Sequence, residues 1–152
     1  MSDHPDQFPL PQMFVTGNKI VDEEHRHLCE LVYKLRSICT EIETRESCQG
    51  CSEERISHCE SVLLDCISDL LNFMVEHFRS EENLMKDLGI SQKHRERYLI
   101  HAEDHANIAD HVALLTHPRT PLQTVKTVAE TVAVISRWLD HHITNHDVPM
   151  LH

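Results

Sequence analysis

Six polar side chains fall where helices would bury apolar ones. His25, His77, Glu81, His101, His105 and His142 each continue a row of apolar residues spaced by threes and fours, which keeps them on one face of a helix. Burying such a group without a partner costs about 1–3 kcal/mol. Imidazoles and carboxylates are metal ligands, and one shared metal centre would satisfy all six together. The pairs His77/Glu81 and His101/His105 are each spaced i,i+4, so both members of a pair reach over one site. Five imidazoles are too many for one tetrahedral zinc. Imidazole with carboxylate suits iron, and manganese could take the same ligands. Two ions bridged by carboxylates use such a donor set well, because a carboxylate has two oxygens to share.

The stretch WLDHHITNHD, residues 138–147, leaves one choice open. Periodicity pairs His142 with His146, four on. Asp147 stands five on, about 140° round an ideal helix, and only a local distortion near the helix end would turn it inward. His141 and His146 are read as solvated or supporting groups, and Asp140 as surface.

These residues need elements to carry them. The first stripe is Val21, His25, Leu28, Val32, Leu35, Cys39 and Ile42, predicting a helix that ends near Thr44. The second runs Ile56, Cys59, Leu63, Cys66, Leu70, Met74, His77, Glu81, Leu84 and Leu88, with Gly89 as its C-cap. Ser91 is expected to cap a third helix carrying Tyr98, His101, His105, Ile108, Val112 and Leu115, which stops before Pro118. Thr120 with Pro121 opens a fourth, Val125, Val128, Val132, Ile135, Leu139 and His142, fading at Pro149. His77 and His101 then lie about 15 Å from the shared end of the second and third helices. The fold class is all-α, an up-down-up-down four-helix bundle over residues 17–152. Residues 1–16, with Pro5, Pro9 and Pro11, form an extended N-terminal arm.

Composition narrows the function classes. The chain has 152 residues, three glycines and a net charge of −11. Such an acidic chain is no partner for nucleic acid, and no apolar run suggests membrane insertion. VLLDCISDLLNFMV is broken by Asp65 and Asp69, and the N-terminus lacks the basic start of a signal peptide. A cytoplasmic location is expected, with the six cysteines as thiols or ligands rather than disulfides. A zincin motif and a ferritin-like pair of Glu-x-x-His motifs are both missing, as are nucleophile and phosphate-loop signatures. The expectation is a binding or sensor domain, not an enzyme.

Four segments together resemble the hemerythrins, and bacterial hemerythrin domains in particular. They are VDEEHRHL with His25, HFRSEENLM with His77 and Glu81, HAEDH with His101 and His105, and WLDHHITNHD with His142 and Asp147. The lead-in TGNKIVDEEH fits as well, and the likeness covers roughly residues 14–148. The resemblance selects Asp147 over His146. It implies two non-haem iron ions (Fe2+/Fe3+) joined by an oxo or hydroxo bridge, with dioxygen as ligand. His101, His105 and His142 would complete one iron; His25 and His77 would hold the other, which keeps an open position. Glu81 and Asp147 would bridge the pair. Leu28, Met74 and Ile108 are expected to keep water from the site.

The resemblance also sets the competing roles. Bacterial hemerythrin domains occur as inputs to signalling proteins, such as diguanylate cyclases and chemotaxis receptors, and as stand-alone oxygen carriers or stores. The chain stops almost at the last ligand, which favours a sensing input joined to a C-terminal output domain. Peroxide or nitric oxide chemistry at the iron is a further alternative. Outside the family pattern, Cys48-x-x-Cys51 with His58 and Cys59 could form a second site, a structural zinc (Zn2+) or a redox pair, too far from the iron ligands to reach them. Cys39 and Cys66 are read as core packing, and so is Cys29.

Overall fold

The first helix begins where the lead-in clamps it. The computed structural model describes residues 8–39, 41–42, 44–115 and 120–151. The Asn18 side chain accepts from the N–H groups of Ile20 and Val21, both at 3.1 Å, capping α1, Lys19–Arg36. Asp22 reaches back from the first turn: its Oδ1 accepts from the N–H and hydroxyl of Thr16, at 2.8 and 2.7 Å, and its Oδ2 from the N–H of Gly17. Gly17 has φ +87°, a conformation that glycine adopts without strain. The lead-in is thus a ring of hydrogen bonds that fixes the entry angle of α1, and with it the direction of His25.

Helix α2, Glu53–Asp87, has 35 residues and is about 52 Å long. Ser52 caps it through the N–H of Arg55. A single turn, α3, Ile90–Lys93, follows Gly89 (φ +75°). Then come α4, Arg95–Leu115, and α5, Thr124–His142. The chain runs on through a π turn, Ile143–Asp147, into α6, Val148–Leu151. Neighbours in the bundle are α1 with α2, α2 with α4, α4 with α5, and α5 with α1. The helices therefore close a ring. His25 near the start of α1, His77 late in α2, His101 early in α4 and His142 at the end of α5 meet at one level, so successive long helices run in opposite directions. Among the described residues no strand forms. Among the described residues no helix is long and apolar enough to cross a membrane.

The fold is the all-α bundle that the stripes predicted, and one apolar cluster fills it. Leu28, Leu35, Leu70, Met74, Val128 and Ile135 lie at its heart. Of the four long helices α4 buries the fewest apolar residues, Ile108 and Val112, because its other two buried positions are His101 and His105.

Three boundaries differ from the sequence reading. Helix α1 stops at Arg36, not near Thr44: the Ser37 hydroxyl competes for the Tyr33 carbonyl at 2.8 Å, and the N–H of Ile38 bonds back only three residues, to Leu35, at 3.3 Å. The β-branched residues Ile38, Ile42 and Thr44 that follow also disfavour helix; Ile38 and Ile42 still pack on the core from the loop. Ser91 does not cap the third long helix: it lies inside α3, and the chain breaks again at His94 (φ −131°, ψ 52°) before α4. The arm is not extended throughout, since Gln12–Phe14 form a 3-10 turn that buries Phe14. Pro5 and Pro118 lie outside the described residues.

Candidate metal centre

Seven side chains converge between the four long helices at one end of the bundle. His25, His77, Glu81, His101, His105, His142 and Asp147 are all buried. Glu81 stands at the middle. Its Oε1 lies 3.2 Å from His25 Nε2 and also meets His77 Nε2; its Oε2 lies 3.1 Å from His101 Nε2 and 3.8 Å from His105 Nε2. Asp147 sits opposite. Its Oδ2 is 2.9 Å from His25 Nε2, and its Oδ1 is 2.8 Å from His101 Nε2 and 3.1 Å from His142 Nε2.

The π turn explains how Asp147 gets there. The N–H of Val148 bonds to the carbonyl of Ile143, five residues back. One extra residue per turn absorbs the angular gap that an ideal helix would leave, and Asp147 faces inward beneath His142. His146, the candidate that periodicity preferred, is half-buried at the edge, its ring centroid 5.1 Å from that of His142. It does approach Asp104 and His142 closely enough to share an ion with them. His141 and Asp140 are exposed.

The donor atoms fall into two overlapping sets. Glu81, His101, His105, His142 and Asp147 present ligand atoms within 4.8 Å of one another, and so do His25, His77, Glu81 and Asp147. Five donors and four donors share the same two carboxylates.

Behind the inward nitrogens stands a layer that sequence reasoning missed. His77 Nδ1 donates to Glu24, which also accepts from the Ser80 hydroxyl at 2.8 Å. His142 Nδ1 donates to Asp104, which accepts from Trp138 Nε1 at 3.1 Å as well. A donating Nδ1 fixes the tautomer and leaves the Nε2 lone pair pointing into the centre. Trp138 stacks on His142 with centroids 4.4 Å apart, and Phe78 stacks on His105 at 4.0 Å. The only sequence signal for Glu24 and Asp104 is an acidic residue immediately before a stripe histidine, and surface helices are full of such residues.

The site fits a pair of cations. Neither oxygen of the buried Asp147 has a hydrogen-bond donor in good geometry. His105 Nε2 and His142 Nε2 face each other at 3.0 Å, and His142 already spends its proton on Asp104. Either His105 Nε2 donates its proton to the His142 lone pair, or both nitrogens face a cation. In the chain by itself protons fill that role. Burial pulls His77 down, but Glu81 and Glu24 outweigh it and raise the imidazole to about 10. Burial likewise opposes His101, yet Asp147 and Glu81 raise it to about 9. Glu81 is held well below its ordinary range despite burial, by the charge of His77 and the hydrogen bonds around it.

A family model described as the hemerythrin HHE cation binding domain matches residues 16–150. The chain belongs to the hemerythrin family. Relatives of this hemerythrin domain include bacteriohemerythrins from the Pseudomonas aeruginosa strains LESB58 and UCBPP-PA14. Each is 25% identical to it over 135 residues, covering 87% of this chain and 71% of the relative. No solved structure matches the chain.

The cysteine loop of this hemerythrin chain is arranged differently from the sequence expectation. Cys48, Cys51 and Cys59 line one small cavity, but the fourth thiol there is Cys39, and His58 is exposed over a separate groove with Tyr33 and Cys66. Among the described residues, no three of these groups hold donor atoms within 4.8 Å of one another. Cys29 and Cys66 pack against the core, and burial pushes both thiols up.

Proposed function

We propose that this hemerythrin domain holds a non-haem di-iron centre that binds dioxygen. His101, His105 and His142 would serve one ion and His25 and His77 the other, with Glu81 and Asp147 bridging. The observation that carries this is the pair of donor sets, five and four, sharing two carboxylates. The four-donor ion has one protein ligand fewer, which leaves room for a small exogenous ligand. A pair of ferrous ions supplies dioxygen with two electrons at such a site.

The chain's own residues do the rest. Glu24 and Asp104 hold His77 and His142 in the tautomer that ligation needs. Leu28, Met74 and Ile108, each buried one helical turn from a ligand histidine, keep the surroundings dry.

The role assigned here is oxygen or redox sensing, as the input part of a signalling protein acting in the cytoplasm. It is supported by the position of Asp147 in a π turn that leads directly into α6, so a change in how Asp147 is bound passes to the chain that follows. Stand-alone oxygen carriage or storage is the competing role.

The test is a metal count with optical spectra in air, after anaerobic reduction, and after oxygen is readmitted. Two irons per chain, near-ultraviolet bands that bleach on reduction, and a visible band that returns with oxygen are expected. One zinc and no colour would sink the di-iron reading. A long-lived oxygenated form would favour carriage over sensing.

A further inference from the structure

At the opposite end of the bundle, about 27 Å along α2 from His77 to Cys59, a turn places two thiols side by side. Cys48, Gln49, Gly50 and Cys51 form a β-turn closed by the N–H of Cys51 on the carbonyl of Cys48 at 3.0 Å. Gly50 has φ +97°, as a type II turn requires of its third residue. Such a turn holds its end Cα atoms within about 7 Å, and a disulfide spans about 4.4–6.8 Å. Each thiol also has a polar neighbour. Cys48 Sγ accepts from the N–H of Val125 at 3.4 Å, in the first turn of the 19-residue α5. The Arg45 guanidinium, paired with Glu41 and bonded to the carbonyl of Gln49 at 3.1 Å, lines the cavity beside Cys51. Its own pKa is pushed up, first by the hydrogen bond to Glu41 and next by the charge of Cys51.

We infer that Cys48 and Cys51 form a reversible thiol–disulfide site whose co-reactant is a small disulfide. Cys51, the more exposed of the two, attacks as thiolate one sulfur of the small disulfide RSSR. Its S–S bond breaks, a mixed disulfide forms on Cys51, and RS⁻ leaves. The Cys48 thiolate then attacks the Cys51 sulfur, the mixed bond breaks, the Cys48–Cys51 bond forms, and a second RS⁻ leaves. The chain gives up two electrons and RSSR gains them; the two thiol protons pass to the two leaving thiolates. The cavity between the four cysteines, about 20 Å³, gives the Cys48 sulfur space to swing off Val125 without displacing packed atoms. A tetrathiolate metal site fits less well, since it needs sulfurs about 3.8 Å apart and no three of them come that close. The inference does not depend on what the histidine centre binds.

The test uses the full chain as purified, equilibrated in glutathione/glutathione disulfide buffers, quenched with acid and alkylated. Trypsin releases residues 46–55, which contain Cys48 and Cys51 and no other cysteine. The expected result is that this peptide becomes about 2 Da lighter and takes up no alkylating group as the buffer is made oxidising. Cys51→Ser should abolish this, and Cys48→Ser should trap glutathione on Cys51. Gly50→Ala, strained at positive φ, should lower the disulfide equilibrium constant several-fold. The inference is overturned if both thiols stay alkylatable across the buffer series, or if either bonds Cys39 or Cys59 instead. It is also overturned if zinc is bound and lost together with these cysteines.

Discussion

His142 and Asp147 stand five residues apart on a helix, yet His142 Nε2 lies 3.1 Å from Asp147 Oδ1. Only the π turn between them allows it. Asp147 is therefore the donor whose position depends most on local backbone geometry. Asp147→Asn keeps the shape but removes the charge that two cations would share. Metal content is expected to fall from two ions per chain to one or fewer, with the helix signal in circular dichroism unchanged. Two ions retained in the variant would show that Asp147 is no bridge.

The carboxylates behind the imidazoles are expected to act on separate ions. Glu24 orients His77 in the four-donor set, and Asp104 orients His142 in the five-donor set. Loss of such a partner weakens metal binding by about 10–100-fold. Chelator competition on Glu24→Gln and Asp104→Asn should show one ion loosened in each variant, and a different one. Equal loosening of both ions by both changes would contradict this.

The metal-free chain should lose stability in alkali. His77 is raised to about 10 and His101 to about 9, against an ordinary 6.5. A raised histidine contributes stability in full below 6.5, and that contribution fades as pH climbs through about 9 to about 10. Thermal midpoints of the metal-free protein should fall across that window. Metal must displace the same protons, so its affinity should rise with pH, and calorimetry in two buffers should register proton release. A pH-independent metal affinity would count against these histidines as ligands.

Away from the centre, Leu70 is about 1% exposed and packs among the four helices. Leu70→Ala should cost about 2–5 kcal/mol through lost burial and a residual cavity. Denaturant unfolding would measure it, with metal content per folded chain unchanged.

Removing the cap at the start of α1 should be milder. Asn18→Ala frees the N–H groups of Ile20 and Val21 and is expected to cost about 1 kcal/mol, read as a lower thermal midpoint.

The convergence of His25, His77, Glu81, His101, His105 and His142 was legible in the sequence for one reason: polar groups on apolar stripes demand a shared partner. Asp147 was not legible from periodicity, because a π turn breaks the 3.6-residue register that periodicity assumes. Resemblance alone picked it. Glu24 and Asp104 escaped because an acidic residue beside an inward histidine looks like any solvated one until Nδ1 is seen to point at it. Helix α1 ended early at Ser37, where a side chain competes with the backbone for the Tyr33 carbonyl. Cys39 took the place expected of His58 because that early end folds it back over the loop instead of along a helical face.

The 3-10 turn that carries Phe14 touches the π turn that carries Asp147. One of the first described segments of the chain thus braces one of the last. During synthesis the centre cannot close until residue 147 has been made and the Gln12–Phe14 turn can dock on the π turn. Helices α1, α2 and α4 already offer four imidazoles and Glu81 by then. A nascent chain would present an incomplete and more open cage, which suits metal entry better than the sealed bundle does. Trimming the arm through Phe14 should reopen that door in the finished protein, seen as faster exchange of bound metal with little change in helix content.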